Sequence, residues 1–321
     1  MQGRIGATLI QSGTRRSRPH ERSRITMEEW FMRRFLFTIA LALGMVATTA
    51  LPVAAITGGQ PDGDGHPYGA LLLVPGVTFC SGTLIDEDVI LTAGHCTDFW
   101  SNTGDPDLTI DEVLVSFEPQ AEVDADWNPV HPEDWYVASS WTTHPLYVGD
   151  DWPFTFDYGL VYLDENVVGI EPAILPELGL VNDLIGENGQ TPNRFLDVGY
   201  GQNGVTVGGG TPQRNFTWTR KVAVERYRPG NGAVSGIFHP TWFITGSVPS
   251  DEHGGGCGGD SGSGIFPYAT GALGDTVLAV HTGGYRLGKD GVICGRITSL
   301  NHRVDIPEVL DWINADAQFQ D

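Results

Sequence analysis

The stretch Cys257-Gly258-Gly259-Asp260-Ser261-Gly262-Ser263-Gly264 sets a serine among four glycines, one residue after an aspartate and four after a cysteine. So much glycine disfavours helix and regular strand, permits positive φ and allows close approach to the backbone. Such a loop can present Ser261 Oγ while the amides of Gly259 and Ser261 converge on one concavity, as a nucleophile and an oxyanion receptor require. The plain alternative is a Gly/Ser surface loop, since the chain contains 43 glycines.

A second motif lies far upstream, Leu91-Thr92-Ala93-Gly94-His95-Cys96, and Phe156-Asp157-Tyr158-Gly159-Leu160-Val161 stands between the two. In residue type and order (His, Asp, Ser) these pieces resemble the chymotrypsin/trypsin-like serine peptidase family. The order differs from that of subtilisin-like and α/β-hydrolase enzymes. The resemblance covers about residues 56–315. It implies an all-β chain of two six-stranded antiparallel β-barrels, with the active site between them and a C-terminal helix. It implies His95 as general base, Asp157 as its orienting carboxylate and Ser261 as nucleophile, with the Gly259 and Ser261 amides as oxyanion hole. The chemistry needs no cofactor and no metal.

The formal charge of −22 averages unlike parts. Residues 1–55 hold eight Arg against three Glu, leaving ten Lys and Arg against 37 Asp and Glu beyond them. So acidic a surface argues against nucleic acid or anionic membrane as partner. Within 1–55, Arg33-Arg34 precedes the apolar run Phe35–Val46, and Val53-Ala54-Ala55 offers the small residues of a signal-peptidase site. Residues 1–55 therefore read as an N-terminal extension and signal peptide. An uncleaved anchor is the alternative, for which the run is short. Residues 56–321 read as the peptidase domain, 56–190 mainly first barrel and 191–321 mainly second barrel and closing helix.

Ile56-Thr57-Gly58-Gly59 resembles the family's mature start. The resemblance implies that a free Ile56 ammonium turns inward to pair with Asp260, and cleavage after Ala55 would itself create it. Four cysteines in an exported chain read as two disulfides, with a zinc site as the weaker alternative. The family pattern pairs Cys80 with Cys96 around the histidine and, more loosely, Cys257 with Cys294.

For the pocket that receives the side chain before the scissile bond (P1), the family's determining position falls at Gly255. Gly255 and Gly256 offer no carboxylate for Arg or Lys. An open apolar or broad pocket is one reading. His281-Thr282-Gly283-Gly284 resembles the pocket wall of glutamate-specific relatives and supports acidic P1 as another. Ser263-Gly264 stands where the family has Gly-Pro.

Elsewhere, Tyr68–Val74, Val89–Leu91 and Glu112–Phe117 read as strands. Phe216–Tyr227 alternates apolar and long polar residues as a solvent-facing strand does. Asp124–Tyr136 reads as a surface insertion in an acidic, Trp-rich segment, solvated or holding a metal or sugar. Asp305 with Glu308 reads as the N-cap and capping box of the last helix. His66, His131, His144, His239, His253 and His302 lack a comparable frame and read as surface or structural. The expected partners are polypeptide substrates and protein inhibitors of peptidases, with the secreted chain a monomer free of membrane. Esterase activity alone and a non-catalytic binding module are the rival readings.

Overall fold

Gly69-Ala70-Leu71-Leu72-Leu73-Val74 forms β2 without one polar residue, and every position is buried. Side chains alternate across a strand, so both faces of β2 must be covered. Ala70, Leu72 and Val74 point into a core with Leu84, Ile90, Leu91, Leu160 and Val161. Leu71 and Leu73 point outward, beneath Phe79, Trp135, Tyr200 and Trp218. Burying each leucine contributes roughly 1.5–3 kcal/mol.

The computed structural model describes Ile56 and residues 59–149, 155–185, 194–202, 216–228, 240–246, 254–286 and 297–315. The extension 1–55 and Cys294 lie outside the described residues.

Strands β2, β3 (Thr78–Leu84), β4 (Val89–Thr92), β5 (Leu114–Ser116), β6 (Tyr136–Thr143) and β7 (Gly159–Leu163) close an antiparallel barrel in the order β2-β3-β4-β7-β6-β5. A second ring joins β8 (Arg194–Gly199), β9 (Lys221–Tyr227), β10 (Trp242–Gly246), β11 (Gly264–Pro267), β12 (Ala279–Arg286) and β13 (Ile297–Arg303). Its order is β9-β10-β13-β12-β11-β8, closed by the pairing of β8 with β9. Closure in both rings leaves few exposed sheet edges. β1 (Gln60–Pro61), early in the chain, adds to the second ring beside β9 through Gln60↔Val222 and Pro61↔Lys221.

Just after β1, Asp62 is buried against Arg220 (3.0 Å) and His66 (2.6 Å). Burial alone would raise its pKa; His66 and Arg220 more than offset this and hold the carboxyl below its ordinary value. The Arg220 guanidinium also donates to the carbonyls of Phe117 (2.7 Å) and Gly63 (2.6 Å), so a fully desolvated cation has partners on several segments. At the other end, Val309 and Ile313 of the helix Pro307–Ala315 join the core of the first barrel. Trp312 meets His144 edge-on at 4.7 Å.

Three expectations change. On β9, Lys221, Ala223 and Glu225 are buried while Val222 and Val224 are only half-buried, so the polar side chains face inward. Their register opposite Gly199, Asp197 and Phe195 of β8 sets that face, because opposed residues share a side. Asp305 does not cap the last helix. Its carboxylate is engaged by Arg303 (2.7 Å) and by the Val181 amide (2.7 Å), in the first turn of the short helix Leu180–Ile185. Part of the insertion is also packed rather than solvated: Trp127, at φ 64°, contacts Phe79, Phe216 and Trp218 at 5.0–5.6 Å.

Candidate active site

Strand β4 ends at Thr92, and the helix Gly94–Ser101 starts two residues later, placing His95 in its first turn. The Cys80–Cys96 disulfide ties that turn to β3, with Cα atoms 6.6 Å apart. Gly94 is required by close approach: a Cβ there would lie 2.8 Å from the Tyr158 carbonyl oxygen and 2.9 Å from the Tyr158 nitrogen. That contact brings His95 against Asp157. The His95 backbone N–H donates to Asp157 Oδ1 (2.7 Å), and Nδ1 lies 2.9 Å from Oδ2.

The Asp157 side chain is 1% exposed and that of His95 36% exposed, so the pair is anchored on one side and open on the other. Burial pulls the imidazole pKa down, but the Asp157 carboxylate more than reverses this and raises it above its ordinary value. Burial would raise Asp157; His95, by charge and hydrogen bonding, brings it below the ordinary range. A carboxylate held in this way fixes the imidazole tautomer and favours the imidazolium.

The glycine-rich Ser261 loop packs onto the first barrel beside this pair. Ser81 N–H on β3 donates to the Ser261 carbonyl (2.8 Å). Gly262 has φ +88°, and a Cβ there would lie 2.2 Å from both the Ser81 oxygen and Thr92 Oγ1, and 3.0 Å from the Ala93 nitrogen. Ser261 is thereby lodged next to the strand that delivers His95. Among the described residues the side-chain bonds of His95 go to Asp157, and none joins it to Ser261 Oγ. Such bonds often tighten only with substrate. The Gly259 and Ser261 amides have no backbone acceptor among the described residues, whereas those of Asp260, Gly262 and Ser263 each do. Gly259, at φ +96°, lies against Phe79: a Cβ there would come 2.1 Å from the ring. The aromatic cluster around Trp127 thus backs the Gly259 end of the serine loop.

Asp260 is fully buried and accepts from Gly201 N–H (2.6 Å) and Cys257 N–H (2.8 Å). Gly199 and Gly201 make its space, since Cβ atoms there would lie 2.5 and 2.1 Å from the carboxylate. Burial, then the Asp197 charge, push its pKa well above the ordinary value, and the buried Lys221 ammonium is close enough to feel its charge. Ile56 is fully buried, and Gly59 beside it donates to its carbonyl (2.7 Å).

On the pocket side, Gly255 and Gly256 are buried, and a Cβ on Gly256 would lie 2.4–2.6 Å from the His281 ring. His281 is 2% exposed, and burial lowers its pKa. A register shift between His281 and Gly283 makes Thr282 a bulge, whose Oγ1 meets His302 Nδ1. Gly283 is half-buried with open space where a side chain would stand. No group of three or more metal-ligating side chains occurs among the described residues.

Sequence reasoning missed Asp197, Glu225, Lys221 and Ser263, which line the inner face of the second barrel, and also Phe79 behind the serine loop. Parity puts Lys221, Ala223 and Glu225 on one face of their strand, but only their pairing with β8 makes that face the inner one.

Two closed antiparallel barrels, with a histidine–aspartate pair and a glycine-rich serine loop where they meet, define a chymotrypsin-like fold. The chain belongs to the trypsin family: the family model described as Trypsin matches residues 56–313. A solved structure titled HL collagenase is similar in fold, with a TM-score of 0.53 at 18% identity, covering 83% of this chain and 100% of its own.

Proposed function

We propose that the chain is a secreted serine endopeptidase. Ser261 Oγ attacks a peptide carbonyl while His95 Nε2 takes its proton. The Gly259 and Ser261 amides receive the oxyanion. His95 then gives the proton to the leaving amine, and an activated water releases the acyl group. The observation that carries the reading is the two-point hold of Asp157 on His95, beside a loop whose next residue, Gly262, is wedged against Ala93. Removal of residues 1–55 would free the Ile56 ammonium, and the full burial of both Ile56 and Asp260 supports their pairing.

The test is labelling by a fluorophosphonate probe of material beginning at Ile56. Labelling is expected in the wild type, lost in Ser261→Ala and greatly reduced in His95→Ala. An unlabelled, folded and correctly trimmed chain would support the binding-module reading.

For specificity, uncharged Gly255 and Gly256 favour an apolar or broad P1 over Arg or Lys. A second reading is acidic P1, favoured by the His281 ring against Gly256. Cleavage of a peptide series varied only at P1 separates the two, and preference for Arg or Lys would overturn both.

A further inference from the structure

The interior of a small barrel is ordinarily apolar, yet Ser263, Asp197 and His281 all face into the second one. Register explains their meeting. Asp197 is opposite Ile265 on β11, which is opposite Ala279 on β12. Residues two apart on a strand share a face, so Ser263 and His281 lie on the Asp197 side. All three are at most 2% exposed. Ser263 Oγ donates to Asp197 Oδ1 (2.5 Å), and Asp197 Oδ2 faces His281 Nδ1 at 3.5 Å. Those last two atoms are buried without a hydrogen-bond partner. From the front, Gly262 N–H donates to the His281 carbonyl (2.8 Å) and His281 N–H to the Ser263 carbonyl (2.9 Å).

A buried polar atom left unpaired costs on the order of 1–3 kcal/mol, and the family pattern has glycine at position 263. Stability alone therefore does not account for placing a carboxyl and a hydroxyl here. We propose that Asp197 is a positioning residue: through Ser263 it fixes the nucleophile loop from behind, in the space between that loop and His281. The inference rests on Ser261 being the nucleophile. Ser263 is held at its oxygen, nitrogen and side chain at once, and Ser261 is only two residues away. The other ionisable groups coupled to this pair are Glu225, Asp260, His95 and Asp157. Burial keeps Asp197 from ionising in the ordinary carboxylate range, which suits a hydrogen-bonding role better than a charged one.

The experiment uses the chain trimmed to Ile56 and measures kcat and KM separately, with the fluorophosphonate labelling rate beside them. Asp197→Ala is expected to lower kcat and the labelling rate by about thirtyfold or more, as a small misplacement of the reacting groups does, with KM nearly unchanged. Asp197→Asn, which keeps an acceptor for Ser263 Oγ–H, is expected to recover most of the loss. Ser263→Ala cuts the same bond with little change in volume and covers the case in which Asp197→Ala does not fold. The double variant is expected to be no worse than the poorer single one, as for two ends of one contact. Folded Ser263→Ala or Asp197→Ala with wild-type kcat and labelling rate would overturn the inference, even if its melting temperature fell. Failure of the peptidase reading is distinguishable, because then the wild type itself would not label.

Discussion

Asp157 holds His95 at two points, its Oδ1 taking the backbone N–H at 2.7 Å and its Oδ2 facing Nδ1 at 2.9 Å. A single carboxylate thus fixes both where the residue sits and which way its ring points. Asp157→Asn leaves a similar shape but favours the wrong tautomer, so kcat is expected to fall by about ten-thousandfold. Circular dichroism and kcat on one preparation check that the fold survives while the activity does not.

On the proposed mechanism the same contact sets the acid limit of activity. Catalysis needs a neutral imidazole, and His95 is held above its ordinary 6.5 by Asp157. In the wild type, kcat/KM is therefore expected to fall on acidification through a pKa above 6.5. The sign for stability is opposite. The pair's contribution is fully present below the unfolded histidine pKa and is lost as pH rises through the folded one. A pH profile with an acid limb below 6 would contradict the geometry.

The inner carboxyls of the second barrel predict the pH dependence of unfolding. Burial pushes Glu225 up to about 7 from 4.5 and raises Asp197 as well. An acid with a raised folded pKa keeps its proton after the unfolded chain has released its own. The contribution of these acids therefore falls as pH rises from about 4.5 to 7. Urea midpoints of Ser261→Ala at pH 5, 6 and 7 are expected to drop, with a shallower drop in Ser261→Ala/Glu225→Gln. A midpoint rising over that range would refute the raised values.

Two glycines with similar φ separate backbone conformation from packing. Gly271, at φ +70°, has nothing within 4 Å of a Cβ position, so Gly271→Ala is expected to cost only about 1–2 kcal/mol. Gly262, at φ +88°, would drive a methyl into the Ser81 oxygen and Thr92 Oγ1. Gly262→Ala is expected to lose a hundredfold or so in probe labelling, since Ser261 must move with it. Equal behaviour of the two variants would show that this packing does not set the serine.

Loss of the Cys80–Cys96 bridge, spanning 16 residues, is expected to cost about 3 kcal/mol. Thermal melts of Cys80→Ser/Cys96→Ser check this, and a melting temperature unchanged from wild type would exclude it.

The His95–Asp157 pairing and the seat of the Ser261 loop beside it were legible because each sits in a short motif whose neighbours are chosen by local geometry, as Gly94 and Gly262 are. The buried acids were not. Along Lys221-Val222-Ala223-Val224-Glu225 the alternation is plain, but a period of two cannot say which face is inside. Only pairing with β8 decides that. Asp305 misled for a related reason: its capping pattern is local, whereas Val181, whose amide takes the carboxylate away from the helix, is 124 residues distant and brought to it by the fold. Trp127 could not be placed either, since its partners Phe216 and Trp218 lie about 90 residues away.

The inverted polarity of β9 also bears on redesign of the enzyme. The side chains expected to shape the substrate cleft share a polar interior with Glu225, whose carboxylate takes Ser299 Oγ–H (2.7 Å) and the Thr245 hydroxyl. Thr245 in turn accepts from Asn301 Nδ2 (2.8 Å). Transplanting a foreign cleft one residue at a time would strand members of that set without partners. A successful graft has to exchange the whole interlocked group at once.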